Sequence, residues 1–241
     1  MYCRKIPLTA WLFALVFSAP VQSLELSVLS CLLEPSLDAE LGVPVEGVLA
    51  KVNADRADKV EQGAILAELD LSVELAMIAM QRARESYASR RLERIQELQS
   101  GNLIPAQDVD DIRTEQQLAR LELAVQQEQL KLRRVVSPFS GVIVERYADV
   151  GDLIQKSQIF RLVKLDPLYV EVVMTLDQFG YLKPGDRYRV HLQHLQTTHE
   201  AEVITVDPII DAGSSTFRVR LSLENPDSRI PAGLSCTLES L

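Results

Sequence analysis

Three histidines lie close together in HLQHLQTTH, at His191, His194 and His199. Imidazole nitrogens are common zinc ligands, so the cluster raises the question of a metal site. The surrounding Arg189 to Leu195 pattern predicts a strand, in which positions 191 and 194 point to opposite faces of the sheet. No cysteine or carboxylate cluster stands nearby in the sequence. We therefore predict a solvated strand and no metal.

Carboxylates that recur at matching positions raise the possibility of acid–base chemistry. Asp55 and Asp58 reappear as Asp149 and Asp152, but each pair falls in a polar turn pattern. The sequence contains no nucleophile elbow, P-loop or dinucleotide-binding fingerprint. The prediction is a non-enzymatic protein without a cofactor.

The first 23 residues have the layout of a secretory signal peptide. Arg4 and Lys5 precede the apolar run Leu8 to Phe17, and small or polar residues continue to Ser23, where cleavage is predicted. The run is short for a membrane span, although an uncleaved anchor is the alternative. Removing this segment takes the net charge from −9 to −11. Such an acidic chain is poorly suited to nucleic acid, which favours clustered Lys and Arg.

Export would place Cys31 and Cys236 in an oxidising compartment, where such cysteines often form a disulfide. Each lies in a strand-like run. We predict a Cys31–Cys236 bridge, while two buried thiols or a lipid-modified Cys31 are the alternatives.

A short module occurs twice, at residues 44–66 and again 94 positions later at 138–160. Seven of the 23 positions are identical without a gap. In each copy a Pro-x-x-Gly turn leads into an apolar strand, a polar Ala-Asp-x-x-Asp turn and a second strand. Two short strands are not stable alone, so the two copies are predicted to face each other in one small sandwich.

The segment between the copies is rich in Ala, Leu, Gln, Glu and Arg, which are good helix formers. We predict two antiparallel helices, about 72–99 and 106–134, joined by SGNLIP. Rows of apolar residues at 3–4 spacing predict the surfaces on which they meet. The first-helix row is Val73, Ala76, Met80, Ala83 and Tyr87, continuing to Arg91, Ile95 and Leu98. The second-helix row is Val109, Ile112, Gln116, Ala119, Leu123, Gln126 and Leu130, with a neighbouring row at Leu118, Leu121, Val125, Leu132 and Val135.

The two copies resemble the halves of a lipoyl/biotinyl domain. Gly151-Asp152 matches the turn of that motif, whereas Ala57 replaces the glycine in the first copy. Lipoyl and biotinyl carriers present a lysine between the halves, and this chain has none from Val60 to Leu130. An acyl-carrier role is therefore disfavoured.

A sandwich split by a helical hairpin, behind a signal peptide, resembles the periplasmic adaptor subunits of tripartite efflux pumps. These are also called membrane fusion proteins or HlyD-like proteins. VVSPFSGVIVERYADVGDLI is similar to the second half-motif of that family, and LDPLYVEVVMTLDQFGYLKPGDRYRV to its entry into a β-barrel. DPIIDAGSSTFRVRLSLENPDSRIPAGLSCTL is similar to the end of that barrel.

The resemblance implies an elongated, multidomain α+β protein: a split lipoyl/biotinyl-like β-sandwich with an inserted antiparallel α-helical hairpin, followed by a β-barrel. The implied boundaries are a signal peptide (1–23), an N-terminal strand joining the barrel (24–43), half 1 (44–71), the hairpin (72–136), half 2 (137–166) and the barrel (167–241).

The resemblance also implies partners. The hairpin tip would meet an outer-membrane channel, the β domains would rest on an inner-membrane transporter of RND type, and several copies would form a ring in the periplasm. The family's tip pattern, Arg-x3-Leu-x6-Ser, is matched by Arg94 and Leu98, with Pro105 in place of Ser and Asn102 within the tip. The alternative is a periplasmic scaffold that binds cell-wall material and has no pump partner.

Overall fold

The computed structural model describes residues 27–100 and 104–240. The predicted signal peptide, and Asn102 at the predicted tip, lie outside these residues. In chain order the elements are β1 (Val28–Gly42), β2 (Glu46–Val52), β3 (Lys59–Val60), β4 (Ile65–Leu69), α1 (Ser72–Ser100), α2 (Ala106–Lys131), β5 (Arg134–Val136), β6 (Gly141–Arg146), β7 (Leu153–Gln155), β8 (Gln158–Thr175), a 3-10 turn (Leu176–Gln178), β9 (Arg187–Leu192), β10 (Thr197–Val206), β11 (Thr216–Leu223) and β12 (Cys236–Ser240).

The repeated module forms a sandwich in which the two copies exchange strands. β2 of the first copy pairs with β7 of the second, placing Gly47 opposite Ile154. β6 of the second copy pairs with β3 of the first, placing Gly141 opposite Val60. The shift of 94 residues relates these two pairings to each other, so the repeat in sequence is also a repeat in hydrogen bonding. Neither copy provides both members of these pairs, and the sandwich requires both copies.

The turns of the two copies are also equivalent. The Asp55 amide donates to the Asp58 carboxylate at 2.7 Å, and the Asp149 amide donates to the Asp152 carboxylate at 2.8 Å. Gly151 has φ of 100°, and Ala57 adopts φ of 72° at the matching position. The first copy therefore makes the same left-handed turn, but with a residue that has a Cβ.

Gly141 lies against the backbone of a neighbouring strand in the sandwich. A Cβ added there would lie 2.3 Å from the Val163 carbonyl oxygen on β8. The glycine therefore allows β6 to lie against β8.

A second body, a barrel, has the strand order β12-β9-β10-β11-β8, and β1 pairs with the free edge of β8. The barrel closes between β1 and β12, where the Leu33 amide donates to the Leu234 carbonyl at 2.9 Å. A disulfide joins Cys31 and Cys236 at this seam, with the Cα atoms 5.0 Å apart. It links two strands that otherwise share few hydrogen bonds.

Each body has its own apolar core, in which Phe160 of the sandwich and Phe217 of the barrel are buried. β1 and β8 run through both bodies. Val28 to Pro35 pair with the barrel half of β8, and Leu37 to Gly42 pair with its sandwich half after a register shift. β1 therefore belongs to both bodies.

Candidate functional site

α1 and α2 lie between β4 and β5 and pack against each other in antiparallel orientation. Arg84 pairs with Glu122 at 2.7 Å, and Arg91 pairs with Glu115 at 2.6 Å. The residue number of the partner on α2 falls as the residue number on α1 rises, so the two helices run antiparallel. At 1.5 Å per residue, the 29 residues of α1 extend roughly 43 Å.

The helix contact matches the predicted row on α2 and differs from the predicted row on α1. Val109 and Ala119 are buried, and the other members of the α2 row are half-buried. On α1 the buried residues are Ile78 and Ala88. They belong to a heptad row that also includes half-buried Gln81 and is offset from the predicted one.

The predicted α1 row was wrong because most of its apolar members face outward. Val73, Met80 and Tyr87 are 58%, 62% and 54% exposed. The sequence contains an apolar stripe on α1. Its periodicity does not show whether the stripe contacts the neighbouring helix or faces away from it. Polar contacts occupy part of the true interface, where the Gln116 side chain donates to Ser89 Oγ at 3.2 Å.

α1 thus carries an exposed apolar face near its first residue. Ser72, Val73, Ala76, Met77 and Met80 line a shallow groove of about 490 Å³. We call this surface the outer face of α1. Sequence reasoning detected Val73, Ala76 and Met80 but assigned them to the contact between the helices.

α2 carries a corresponding exposed row. Leu118, Leu121 and Val125 are 55%, 55% and 54% exposed, so the prediction that these members of the neighbouring row contact the other helix was wrong. Val135, the last member of that row, lies in β5 and is buried. We call the surface formed by Leu118, Leu121 and Val125 the outer face of α2. The two helices differ in charge: α1 has five arginines and four glutamates, whereas α2 has six acidic and three basic residues.

Of the predicted tip residues, Arg94, Leu98 and Pro105 lie at the ends of the helices that are remote from the sandwich. Arg94 and Leu98 are exposed on the last turns of α1, and Leu98 is 44% exposed. Pro105 precedes α2 with φ of −62° and ψ of 145°, the extended conformation of a helix N-cap. Its missing amide hydrogen costs nothing there, so proline is compatible with this position.

At the other end, the helices are fixed to the sandwich by ionic and backbone contacts. Arg133 Nε lies 2.5 Å from Glu74 Oε1, and both side chains are largely shielded. The Leu69 amide donates to the Arg133 carbonyl at 3.0 Å. The ion pair joins the first turn of α1, and the hydrogen bond joins β4, to the residues that follow α2. Together they set the direction in which the helix pair leaves the sandwich.

Arg146 connects the equivalent turns of the two repeats. Its guanidinium contacts Asp55 at 3.0 Å and also pairs with Asp149. The pKa of Asp55 lies below its ordinary value, first because the Arg56 amide donates to it and then because of Arg146. The carboxylates of the two turns therefore bind Arg146 or backbone amides of their own turns.

The histidines are not brought together. His191 on β9 contacts the Thr198 hydroxyl at 3.1 Å, and His199 on β10 contacts the Thr197 hydroxyl at 2.9 Å. β9 ends at Leu192, so His194 lies in the following turn and not in the strand predicted for it. Within residues 27–100 and 104–240, no group of three His, Cys, Asp or Glu side chains is arranged to hold a metal ion.

Comparison with known protein families assigns the two bodies separately. Residues 39–164 match the CzcB-like barrel-sandwich hybrid domain, and residues 167–240 match the CusB-like β-barrel domain. The first match includes both helices within its limits. The order of the two domains is the order of the two bodies along the chain.

Individual relatives agree with this assignment. The chain is 27% identical over 217 residues to the multidrug resistance protein MdtA of Photorhabdus laumondii, which covers 76% of this chain and 52% of the relative. It is 26% identical over 229 residues to MdtE of Escherichia coli K12, covering 83% and 60%. The chain therefore spans a little over half the length of these relatives.

Among solved structures, a MacA–MexA chimera that contains the Pseudomonas aeruginosa MexA α-hairpin domain has the same fold. Its TM-score is 0.73 at 17% identity, covering 87% of this chain and 78% of the chimera.

These matches define the class of protein. The chain belongs to the periplasmic adaptor family, the membrane fusion proteins of RND-type pumps. In the part of the chain that the structure describes, neither helix has the length and apolar character needed to cross a membrane.

Proposed function

We propose that the protein is a non-enzymatic periplasmic adaptor that links an inner-membrane transporter to an outer-membrane channel for the export of small molecules. The observation that carries this proposal is the antiparallel helix pair, anchored at the sandwich through Glu74 and Arg133. In this proposal the pair is a coiled-coil hairpin inserted between the two halves of a lipoyl-like sandwich. A narrow projection of this length is suited to reaching a distant partner.

The channel contact is assigned to the hairpin tip, at Arg94, Leu98, Asn102 and Pro105. Support comes from the exposure of Arg94 and Leu98 at the end remote from the sandwich. An exposed leucine beside an arginine is a favourable combination for a protein interface, because Arg is enriched at such contacts. Proline in place of the family's serine would remove one hydroxyl contact without disturbing the helix start.

We assign the contacts between copies in the ring to the outer faces of α1 and α2, which point away from the contact between the two helices. The outer face of α1 and the outer face of α2 are both apolar, and the helices carry net charges of +1 and −3. Contact between α1 of one copy and α2 of the next would bury both faces and bring unlike charges together. Such a head-to-tail contact can close into a ring if the rotation between copies allows it.

The location is assigned to the periplasm, in association with the inner membrane, after cleavage of the signal peptide at Ser23. The Cys31–Cys236 disulfide supports an oxidising compartment.

The experiment that tests the proposal is in-cell photo-crosslinking from a photoreactive amino acid at Leu98. The matched control is the same probe at Leu195, on the turn after β9, because both leucines are 44% exposed. We expect the Leu98 probe, and not the Leu195 probe, to capture an outer-membrane channel protein. Capture of only cell-wall material from Leu98 would favour a scaffold without a pump partner.

A second variant tests the role of Arg94 in the same assay. Arg94→Ala in the Leu98-probe background is expected to lower the yield of the channel adduct several-fold, since a charged contact at an interface contributes to affinity. Arg82→Ala, which changes an exposed arginine far from the tip, is the control and should leave the yield unchanged.

A further inference from the structure

The sandwich and the barrel meet where β8 changes its neighbours. β6 of the sandwich pairs with β8 up to Val163, and β11 of the barrel pairs with it from Leu168 onward. On the other edge of β8 the register shifts, so that residues 165–167 stand opposite Ser36 of β1 alone. We call residues 165–167 the junction.

The junction has the features of a hinge between two bodies. Extra residues in one strand bend that strand and interrupt its ladder of hydrogen bonds. Hinges are a few residues at the ends of elements that absorb a change in backbone angle. Each body also has its own apolar core. A change of angle at the junction would therefore leave both cores intact.

A buried asparagine supports the junction between β6 and β11. Asn225 lies two residues after the end of β11 and is 2% exposed. Its backbone amide donates to Asp166 Oδ1 at 2.9 Å, and its side-chain Nδ2 donates to the Leu165 carbonyl at 2.9 Å. The Leu165 carbonyl, which lies between the two ladders, thus receives its hydrogen bond from a side chain.

The same side chain shapes the loop that follows β11. Asn225 Nδ2 also donates to the Ile230 carbonyl at 2.9 Å, and its Oδ1 accepts from the Ile230 amide at 3.1 Å. Both donors and the acceptor of the side-chain amide are thereby used. Residues 225–230, which we call the junction loop, are closed into a compact turn against β8.

The sandwich reaches the junction loop through one exposed lysine. Lys59 Nζ, on β3, donates to the Asp227 carbonyl at 3.0 Å. A cleft of about 280 Å³ lies beside this contact, with Val60 on the sandwich side and Pro226 and Ser228 on the loop side. An exposed hydrogen bond contributes little net stability, because water competes for both groups. This contact can therefore open without unfolding either body.

We propose that the junction loop is a two-part clamp on the angle between the sandwich and the barrel. Asn225 holds the bent backbone of β8, and the Lys59 contact is the part that releases. When the Lys59 contact opens, the sandwich rotates about the junction and moves the helix pair with it. A rotation of about 10° displaces the far end of a helix of roughly 43 Å by about 7 Å. The clamp therefore controls where the helix ends are presented.

Spin labels on the two bodies test the clamp by pulsed electron paramagnetic resonance on the full chain. The native cysteines are bridged, so two introduced cysteines are labelled without competition. Val48→Cys on β2 and Ile204→Cys on β10 place one label on each body, at positions that are 47% and 40% exposed. The distribution of distances between the labels reports the range of angles.

Lys59→Met removes the ammonium group and keeps the apolar stem. We expect a distance distribution roughly two-fold broader than with the native lysine, because the bodies then adopt more than one angle. Lys51→Met is the matched control, since Lys51 is an exposed lysine of the same body that contacts Glu68 within the sandwich at 3.7 Å. It should leave the distribution unchanged.

Asn225→Ala should broaden the distribution further and shift its mean, because the Leu165 carbonyl loses its donor. Unchanged circular dichroism and an intact disulfide show that this variant is folded. If it does not fold, the comparison of Lys59→Met with Lys51→Met decides alone.

A distribution in Lys59→Met that matches the native one, or equal broadening in Lys51→Met, would overturn the proposal. A folded Asn225→Ala variant with the native distribution would overturn the role of the asparagine. The clamp goes beyond the proposed adaptor function, and its measurement uses neither a channel nor a transporter. Failure to capture a channel at the helix tip is therefore a separate result.

Discussion

Ala57 is a residue whose conformation conflicts with its side chain. It has φ of 72°, and its repeat equivalent Gly151 has φ of 100°. A left-handed conformation costs an L-residue with a Cβ roughly 1–2 kcal/mol. We expect Ala57→Gly to raise the free energy of unfolding by about 1 kcal/mol in urea titrations. Gly151→Ala is the reciprocal control and should lower it. Destabilisation by Ala57→Gly would contradict this interpretation of the turn.

Arg146 contributes a pH-dependent contact between the repeats. The pKa of Asp55 is lowered from 3.8, so the contact adds stability at neutral pH that is lost as the pH falls through the depressed value. Arg146→Gln should lower the melting temperature at pH 7, with the gap to wild type narrowing below a pH of about 4. The hydrogen bond from the Arg56 amide remains in the variant, so part of the pKa shift persists. A gap that is constant down to acid pH would contradict the assignment.

At the scale of elements, the helices show what a sequence pattern can and cannot decide. The α2 row from Val109 to Leu130 was predicted correctly because α2 buries one such row against α1. α1 carries two rows, and the more apolar one lies on the outside. Which row is buried depends on the orientation in which the Glu74–Arg133 contact fixes the two helices. The hydrophobic periodicity of one helix does not determine that orientation.

The offset of the α1 row can be tested by paired substitutions. Ile78 is 6% exposed, so Ile78→Ala should lower the free energy of unfolding by about 2 kcal/mol or more. Met80 is 62% exposed, so Met80→Ala should change it by less than about 0.5 kcal/mol. Urea unfolding followed by helical circular dichroism measures both. The reverse order would support the predicted row and not the observed one.

Strand exchange between the repeats was only partly accessible from sequence. The 94-residue shift indicated one sandwich made of two copies. It did not indicate that β2 pairs with β7 and β3 with β6, because a repeat in sequence does not specify which strands pair between the two copies. Exchange makes each half depend on the other, although a helix pair separates them in the chain.

At the scale of the whole molecule, β8 is the element that joins the parts. Its 18 residues extend about 60 Å. β8 pairs with β6 in the sandwich and with β11 in the barrel, so one strand belongs to both bodies.

The disulfide stabilises the barrel at the seam between its first and last strands. Cys31 and Cys236 are 205 positions apart, so the bond constrains almost the entire unfolded chain. We expect the Cys31→Ser/Cys236→Ser double variant to lose about 2–4 kcal/mol of unfolding free energy in urea titrations. The exported protein should show no free thiol when unfolded without reductant. Two titratable thiols would contradict the bridge.

The proposed function requires the protein to contact an inner-membrane transporter and an outer-membrane channel at the same time. Affinity capture of the tagged protein after in-cell crosslinking, with the captured membrane proteins identified by mass spectrometry, tests this requirement. We expect a transporter and a channel in the same adduct, and loss of the channel alone when Arg94 and Leu98 are replaced. Capture of only further copies of the chain, or of cell-wall material, would contradict it.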